Sequence, residues 1–501
     1  MLLEFLVLLS ALLAWAAFPP LGWGWLAPLA LAPLLAAIRR VHTRRGAAFL
    51  GFSFGLLFYG SLTFWLTLIG FYVVVGLAVV MALFTAVFAT ALWSARSWEP
   101  VPWALTATGL WSAMELLRAR FPLGGFRWGD MGYAIADIPW FRYAAKYVGT
   151  SGLTVITVAL AAGLAIVVAD RKQPWQPLAG AGALALFVAL AGGMSMETAD
   201  RTKLQVAVIQ GSTPCPGAHC ANENVLTFEQ HLASTSELEA DRFDLVVWPE
   251  SSAQYQGDPV TNPERSEQIA QEARRLGAYI LVGTSRGVSD TEWINANVVF
   301  NPDGEIIGEY VKRHPVPFGE SVPARDFFDF IPDIARVPRD MVPGDGPVVF
   351  EVDDVTMGSV ISFEGGFAKE PRQEVQAGAQ FLVIATNEST YLETSAAEQF
   401  LRMTRMRAAE NGMPVIHAAL TGPSALFDAN GNRFDETAIM SQGQLLGTIS
   451  PRVREPTMYT RYGEWLAYLS VITALVAVLV QFRLRSEPPT SEDVEPIEAL
   501  T

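Results

Sequence analysis

The chain has 501 residues, of which 51% are hydrophobic and only 17% are charged, and its formal net charge is −15. Soluble globular domains carry about 25% charged residues, so this composition does not fit a single water-soluble globule. The acidic balance also argues against nucleic acid as a partner, because nucleic acid selects basic surfaces.

The apolar residues are concentrated in two parts of the chain. Residues 1–195 are almost entirely apolar, residues 200–464 have the composition of a water-soluble domain, and residues 465–482 are apolar again. A helix needs about 20 apolar residues to span a bilayer. This length predicts a polytopic membrane domain of about eight helices, at residues 3–18, 22–38, 48–69, 71–94, 102–117, 147–169, 176–194 and 465–482.

The orientation follows from basic residues in the short loops, which are enriched on the cytoplasmic side. Basic clusters follow the second, fourth, sixth and eighth predicted helices: Arg39, Arg40, Arg44 and Arg45; Arg96; Arg171 and Lys172; Arg483 and Arg485. All of them lie on one side if the N-terminus is cytoplasmic. Seven crossings then place residues 200–464 outside the cytoplasm, and residues 483–501, which are polar and acidic, are predicted to be a disordered cytoplasmic tail.

Two features leave alternatives open. The predicted outer loop between the fifth and sixth helices is basic, with Arg118, Arg120, Arg127, Arg142 and Lys146. These residues pair either with anionic lipid headgroups or with acidic residues of the outer domain. Cys215 and Cys220, with His219 nearby, form either a small disulfide loop or two free surface thiols.

The outer domain alternates strand-like and helix-like segments. Strands are predicted at 204–211, 244–250, 278–287, 295–314 (two strands around an Asp-Gly turn), 355–364, 379–387 and 414–434 (a hairpin with an Asn-Gly turn). Helices are predicted at 222–239, 263–276 and 398–412. Several strands are apolar at consecutive positions, so both sheet faces are covered. The pattern predicts an α/β domain with layered sheets and outer helices, an αββα sandwich.

Polar residues at the ends of buried strands are the candidates for chemistry. Glu250 ends DLVVWPE, Lys312 lies in YVKRHPVPFGE, and Ser362 lies in VISFEGG. A carboxylate, a lysine and a nucleophile form a plausible set for acyl transfer, with Glu250 taking the proton of Ser362 and Lys312 stabilising the oxyanion. We expect apolar neighbours to desolvate Lys312 and lower its pKa.

The motifs VVWPES, YVKRHPVPFGE, GSVISFEGG and RAAENG, in this order, resemble the nitrilase superfamily. With eight helices around that domain, with FPPLGWGWLAPLALAPLL near the start of the chain and RYGEWLAYL before the last helix, the chain resembles the bacterial apolipoprotein N-acyltransferases. The resemblance covers nearly the whole chain, and KRHPVPFGE is its most specific part.

The resemblance implies an enzyme of the bacterial plasma membrane, monomeric and without cofactor or metal. It would move an acyl chain from a phospholipid to the N-terminal amine of a diacylglyceryl-cysteine on an apolipoprotein. The family's motifs carry over to Glu250 as base and Lys312 as oxyanion support, with Glu320 and Glu364 as additional essential carboxylates. The predicted substrate-binding residues are Phe363, Arg127 and Trp248.

One departure bears on activity. The family's nucleophilic cysteine corresponds to Ser362, and the tyrosine that usually follows is Phe363. Thiols ionise partly near neutral pH, whereas a serine hydroxyl needs a strong adjacent base. Ser362 is therefore either an engineered block or a natural change in a divergent paralogue. The alternative function is a catalytically inactive protein that binds lipoprotein or lipid, or acts as a scaffold in the membrane.

Overall fold

The computed structural model describes residues 1–169, 175–194, 202–218, 220–328, 334–335, 337–452 and 455–486. Three features predicted from the sequence lie outside these residues: the basic pair Arg171 and Lys172, His219 beside the cysteines, and most of the tail at 483–501.

Helices occupy most of the first 194 residues. They are α1 (Leu2–Ala16), α2 (Ala27–Arg40), α3 (Arg44–Leu62), α4 (Phe71–Trp93), α5 (Pro100–Arg118), α6 (Met131–Ala134), α7 (Pro139–Ala169) and α8 (Gln176–Met194). The C-terminal helix (Trp465–Ser486) packs against α5 and α7. Each predicted membrane helix therefore has a counterpart at its predicted place.

Fewer of these helices have the length and hydropathy of a membrane span than the eight predicted. In the described part of the chain, four do: Phe71–Trp93, Pro139–Ala169, Gln176–Met194 and Trp465–Arg483. Helix α1 is apolar but has only 15 residues. Helix α5 carries a buried Glu115 and Arg118, which lower its mean hydropathy. The helices form an apolar bundle of the membrane type. Four of them qualify as membrane spans by length and hydropathy, compared with the eight crossings predicted.

Helix α7 starts earlier than predicted and is broken at one glycine. Gly149 has φ 67° and ψ 174°, outside the helical region. A Cβ at Gly149 would lie 2.4 Å from the ring of Tyr459, a residue of the outer domain. Glycine is therefore required both by the backbone conformation and by this close approach. The break lets the outer domain sit directly on the bundle.

The outer domain contains thirteen strands in its described residues. They are β1 (Leu204–Gln210), β2 (Leu245–Gln254), β3 (Tyr279–Gly287), β4 (Glu292–Phe300), β5 (Ile306–Val311), β6 (Asp340–Met341), β7 (Val349–Val352), β8 (Val355–Ile361), β9 (Phe381–Thr386), β10 (Val415–Ala419), β11 (Ala425–Phe427), β12 (Arg433–Glu436) and β13 (Gly443–Ile449). Its helices are α9 (Glu223–Ser236), α10 (Pro263–Leu276), α11 (Arg325–Phe328), α12 (Lys369–Gln376), α13 (Ala396–Asn411) and α14 (Met458–Tyr462).

The strands form two sheets. One has the order β13-β1-β2-β3-β4-β5, with β6 pairing β4, and the other has the order β12-β11-β10-β9-β8-β7. Strands β1, β2 and β3 are parallel, as are β8, β9 and β10. The prediction missed β7, β6 and β13. Strand β13 pairs antiparallel with β1, more than 230 residues earlier in the chain, and local sequence carries no sign of that partner.

The two sheets pack face to face and their outer faces are covered by helices. Alternate residues of β1 and β2, such as Val208 and Val247, join the core shared with the second sheet. The intervening residues, such as Ile209 and Val246, pack under α9 and α10. Helices α12 and α13 cover the second sheet, and α13 also packs on α7. The αββα sandwich predicted from the sequence is confirmed, with α13 as the layer that joins it to the bundle.

Candidate active site

Two of the three candidate residues directly follow strands, whereas Glu250, which was predicted to end its strand, lies inside a strand that continues to Gln254. Glu250 is in β2, Lys312 directly follows β5, and Ser362 directly follows β8. Strands β8 and β9 are parallel neighbours, with Ile361 opposite Ala385, so Ser362 and Asn387 leave the second sheet at the same edge. The backbone N–H of Asn387 donates to Glu250 Oε2 at 2.8 Å, which brings that edge to β2.

Lys312 lies between two carboxylates. Its side chain is fully buried, and its Nζ is 2.6 Å from Glu320 Oε1 and 3.5 Å from Glu250 Oε1. Glu320 is itself fixed, because its Oε2 accepts the backbone N–H of Val316 at 2.8 Å. The loop from Lys312 to Glu320 therefore folds back, so that the carboxylate at its end contacts the lysine at its start.

The expected lowering of the Lys312 pKa is wrong. Burial acts in that direction, but the charges of Glu320 and Glu250 more than offset it, so the pKa of Lys312 is raised above its usual value. Apolar neighbours in the sequence showed the burial but not the two carboxylates. Lys312 is therefore a permanent cation, which suits stabilisation of an oxyanion rather than proton transfer.

Glu250 is held at both oxygens. Its Oε1 accepts from Asn295 Nδ2 at 2.7 Å, and its Oε2 accepts from the Asn387 backbone. The carboxylate is 5% exposed. A charged group with this little exposure needs such partners. Its orientation is fixed before any substrate binds.

Ser362 begins a tight turn, Ser362–Gly366, and has φ 51°. Positive φ is uncommon for a residue with a side chain and is frequent at functional sites. Within the described part of the chain, the Ser362 hydroxyl makes no hydrogen bond. Glu250 and Lys312 are in direct contact with each other, whereas Ser362 makes no hydrogen bond to either of them.

Glu364 connects the turn to the lysine loop. Its fully buried carboxylate accepts from the backbone N–H groups of Arg313, His314 and Ile361 at 2.6–3.0 Å, and from Tyr310 Oη at 2.8 Å. Burial raises the pKa of Glu364, and these bonds and the charge of Lys312 oppose the shift. Glu364 ties the residues before Ser362 to those after Lys312, so it positions the site.

The three predicted substrate-binding residues have different environments. Phe363 is half-buried in an aromatic group with Phe126 of the bundle, His314 and Phe367. Trp248 is fully buried under α9, with its Nε1 donating to Thr235 Oγ1 at 2.8 Å. The prediction for Trp248 is wrong, because its side chain belongs to the core on the helix side of the first sheet.

Arg127 is only 6% exposed and forms ion pairs with Asp130 at 2.9 Å and Glu464 at 2.7 Å. Arg118 also pairs with Asp130, and Arg120 pairs with Glu464 at 2.7 Å. Arg120 and Arg127 therefore follow the second alternative, pairing with an acidic residue of the outer domain, whereas Arg118 pairs with Asp130 of the loop itself. Glu464, at the end of the outer domain, is the common partner of Arg120 and Arg127 across more than 330 residues of sequence.

This junction has a testable pH dependence. Burial would raise the pKa of Glu464, but Arg127 and Arg120 lower it to about 2. A carboxyl with a depressed pKa stabilises the fold above its unfolded pKa of about 4.3, and that contribution is lost as the pH falls to about 2. We expect the melting temperature of the purified protein to fall over this window. Glu464→Gln should have a lower melting temperature at pH 7, and its melting temperature should fall less on acidification. Equal acid sensitivity of the two proteins would contradict a stabilising role for the Glu464 ion pairs.

A cavity of about 650 Å³ lies next to the site but does not contain its charged core. Its lining comes from the loop after α5, from the segments 344–347 and 367–373, and from residues 459–468. His314 lines it, whereas Glu250, Lys312 and Ser362 do not. The three candidate residues therefore do not converge in this cavity.

Of the two alternatives for the cysteines, the structure has the disulfide: Cys215 and Cys220 are bonded to each other. Among residues the structure describes, no group of three His, Cys, Asp or Glu side chains is arranged to hold a metal ion.

Two asparagines of the site were missed. Asn295 binds Glu250, and Asn297 donates to Ser359 at 2.6 Å, just before the Ser362 turn. Both lie in the otherwise apolar strand INANVVF. Buried polar side chains need partners, so two asparagines in such a strand were a usable signal.

Comparison with known proteins covers both parts of the chain. Residues 10–164 match the family model of the apolipoprotein N-acyltransferase N-terminal domain, and residues 205–456, half of the chain, match the carbon-nitrogen hydrolase model. A protein named apolipoprotein N-acyltransferase from Geobacter metallireducens is 29% identical over 96% of this chain and 95% of its own length. One of the same name from Gloeobacter violaceus is 26% identical over 92% and 91%.

Among solved structures, an amidase from Neterenkonia sp. AN1 covers 52% of this chain and 95% of its own, with 16% identity and a TM-score of 0.39. The two family models lie in the order of the two parts of the fold, and the relatives match along nearly their whole length. The chain belongs to the apolipoprotein N-acyltransferase family, an acyltransferase family of the carbon-nitrogen hydrolase (nitrilase) superfamily.

Proposed function

We propose that this chain transfers an acyl chain from a phospholipid to the N-terminal amine of a diacylglyceryl-cysteine on bacterial lipoproteins. The observation that carries the proposal is the contact of buried Lys312 with Glu250 and Glu320, next to the Ser362 turn. The named relatives support lipoprotein N-acylation at the level of the family.

In the first step, Ser362 Oγ attacks the ester carbonyl carbon of the phospholipid while Glu250 takes its proton. Lys312 stabilises the charge on the carbonyl oxygen. The bond to the glycerol oxygen then breaks, and that oxygen takes the proton from Glu250, so a lysophospholipid leaves and Ser362 carries the acyl group as an ester.

In the second step, the lipoprotein amine attacks the acyl-serine ester. An amide bond forms, the Ser362 Oγ–acyl bond breaks, and the proton lost by the amine returns to Ser362 through Glu250. Glu320 positions Lys312, and Glu364 holds the two strand ends that carry the lysine and the serine.

The proposed setting is the bacterial plasma membrane, with eight crossings, both termini cytoplasmic, the outer domain extracytoplasmic, and a monomer. Arg39 donates to the carbonyl of Trp98 at 3.1 Å and Arg40 to that of Val168 at 2.7 Å. These contacts bring the ends of α2, α4 and α7 to one side of the bundle. The disulfide supports an oxidising compartment for the outer domain.

A second candidate is a membrane protein that binds lipoprotein or lipid without transferring an acyl chain. The observation favouring it is Ser362, because a carboxylate such as Glu250 is a weak base for a serine hydroxyl.

The test is to incubate the purified protein with phospholipid and a diacylglyceryl lipopeptide, and to measure the masses of protein and peptide. Transfer should add one acyl chain to the lipopeptide, and omission of the lipopeptide should leave the acyl chain on Ser362. Ser362→Ala is the matched control and should do neither. If the peptide mass stays unchanged with folded wild-type protein, the binding protein is favoured.

A further inference from the structure

A buried histidine–carboxyl pair lies in the second sheet, and the steps proposed above do not use it. His417 Nε2 is 3.0 Å from Glu388 Oε1, and both side chains are fully buried. His417 belongs to β10, whereas Glu388 comes just after β9, the parallel neighbour of β10. Burying two titratable groups costs desolvation energy, and well-packed apolar residues of the same volume are often as stable. The stability of the fold therefore does not explain the pair.

The conformation of Glu388 is unfavourable in two further respects. Its Oε2 has no hydrogen-bond partner among the residues that the structure describes, and a buried oxygen left unpaired is costly. This oxygen faces Gly422, where a Cβ would lie only 2.0 Å away from it. Glu388 also has φ 57°, which is uncommon for a residue with a side chain. Strained residues of this kind cluster at functional sites.

The histidine of the pair is fixed by α13. Its Nδ1 is 3.1 Å from Thr404 Oγ1, and its ring packs edge-on against Phe400 with the ring centroids 5.5 Å apart. Thr404 and Phe400 both belong to α13, which lies on the second sheet and also packs on the bundle. His417 therefore offers Glu388 a partner whose position is set by β10 and by the helix that covers it.

Glu388 directly follows the residue that contacts the proposed base. Asn387 donates its backbone N–H to Glu250 Oε2 at 2.8 Å. The backbone carbonyl of Asn387 accepts from the Thr421 hydroxyl at 3.2 Å and from the Thr421 N–H at 3.3 Å. The next side chain, that of Glu388, is held by His417. The chain is thus anchored immediately after the N–H that binds Glu250.

The pair and the proposed base also influence each other electrostatically. Burial raises the pKa of Glu388, the hydrogen bond and charge of His417 oppose the rise, and the charge of Glu250 adds to it. Two carboxyl groups in one buried region repel each other when both are ionised, so His417 favours a Glu388 side chain that stays near Glu250. At position 388, glutamine keeps a hydrogen bond to His417 and removes the charge, whereas alanine removes both.

We propose that Glu388 and His417 are positioning residues, whose contact fixes the Asn387 peptide and thereby orients the Glu250 carboxylate for proton transfer. The proposal rests on the role of Glu250 as the base in the proposed transfer reaction. It assigns the effect to the hydrogen bond of the pair and not to its charge, because the bond is what holds the chain next to Asn387.

The test measures the Asn387 N–H directly and the reaction separately. Hydrogen–deuterium exchange of the detergent-purified full chain is read at residue resolution by mass spectrometry with electron-transfer fragmentation. In Glu388→Ala, we expect the Asn387 amide to exchange about ten-fold faster, the scale of one hydrogen bond to a charged group. Exchange in β1, away from the pair, is the internal reference and should not change, since a general loss of stability would accelerate both.

The reaction is followed as acyl transfer from phospholipid to a diacylglyceryl lipopeptide. Glu388→Ala should lower kcat by about ten-fold and leave the KM for phospholipid unchanged, because the pair acts on the base and not on lipid binding. Glu388→Gln should restore both exchange and kcat to within about two-fold of the wild type, since it keeps the hydrogen bond.

Two further variants make the test independent of one substitution. Gly422→Ala leaves both members of the pair in place but puts a methyl group where Glu388 Oε2 lies, so it should reproduce the effects of Glu388→Ala. It also serves if Glu388→Ala fails to fold. Glu393→Ala, at an exposed position of the same loop, is the matched control and should change neither exchange nor kcat.

Three outcomes would overturn the proposal. They are unchanged Asn387 exchange in folded Glu388→Ala and Gly422→Ala, faster exchange with unchanged kcat, and a Glu388→Gln protein as impaired as Glu388→Ala, which would assign the role to charge. Failure of the proposed function has a different signature, because a wild-type protein without acyl transfer would count against the transferase. Exchange alone would then decide whether the pair fixes the Asn387 N–H on Glu250.

Discussion

Replacing Ser362 by cysteine is expected to raise the rate of acyl transfer by about 100-fold or more, the scale of effect associated with activation of a nucleophile. The turn that carries Ser362 is fixed by Glu364, which binds the backbone of Ile361 and Arg313 rather than the nucleophile itself. Sulfur would therefore occupy the place of oxygen without rearrangement. Permanent positive charge on Lys312 nearby favours the thiolate.

The measurement compares initial rates of lipopeptide acylation for wild type and Ser362→Cys, with Ser362→Ala as the blank. Transfer by the cysteine protein alone would mean an intact site that lacks its nucleophile. Comparable transfer by both proteins would mean that serine serves here and that Glu250 is a stronger base than expected. No transfer by either folded protein would contradict the acyltransferase proposal and favour the binding protein.

The order of strands and helices was predictable because each segment carries its own periodicity. The sequence did not, however, predict which face of a strand meets the site. Strand β2 is buried on both faces, so Trp248 and Glu250 are equally compatible with site or core by pattern alone. The outcome depends on α9, which covers Trp248 through Phe228 and Thr235. Such packing is set by tertiary contacts, not by the local sequence.

The sequence also could not predict the hydrogen-bond and ion-pair partners of the candidate residues. The Asn387 N–H reaches Glu250 across 137 residues, and Arg127 reaches Glu464 across 337. A motif shows that a glutamate or arginine is present, whereas its charge state depends on neighbours brought by the fold. This explains why the identity of Lys312 as a candidate was predictable and the direction of its pKa shift was not.

The second large effect is expected from Lys312→Met, which removes the cation between Glu250 and Glu320. Breaking a buried ion pair by deleting one partner typically costs about 3–5 kcal/mol, because the remaining charge stays buried. Here two carboxylates lose their common partner, with side-chain exposures of only 6% and 14%. We expect a clear fall in melting temperature, together with loss of acyl transfer, because no other cation contacts Glu250 among the described residues.

The two effects can be separated by a compensating change. In Lys312→Met with Glu320→Gln, one of the two uncompensated charges is gone, so part of the lost stability should return while transfer stays absent. Lys203→Met, at an exposed position of the same domain, is the control and should shift stability by no more than about 0.5 kcal/mol. If the double variant recovers both stability and transfer, Lys312 serves only to neutralise the carboxylates. If stability returns without transfer, Lys312 stabilises the oxyanion, because the reaction still requires its positive charge when the carboxylates no longer do.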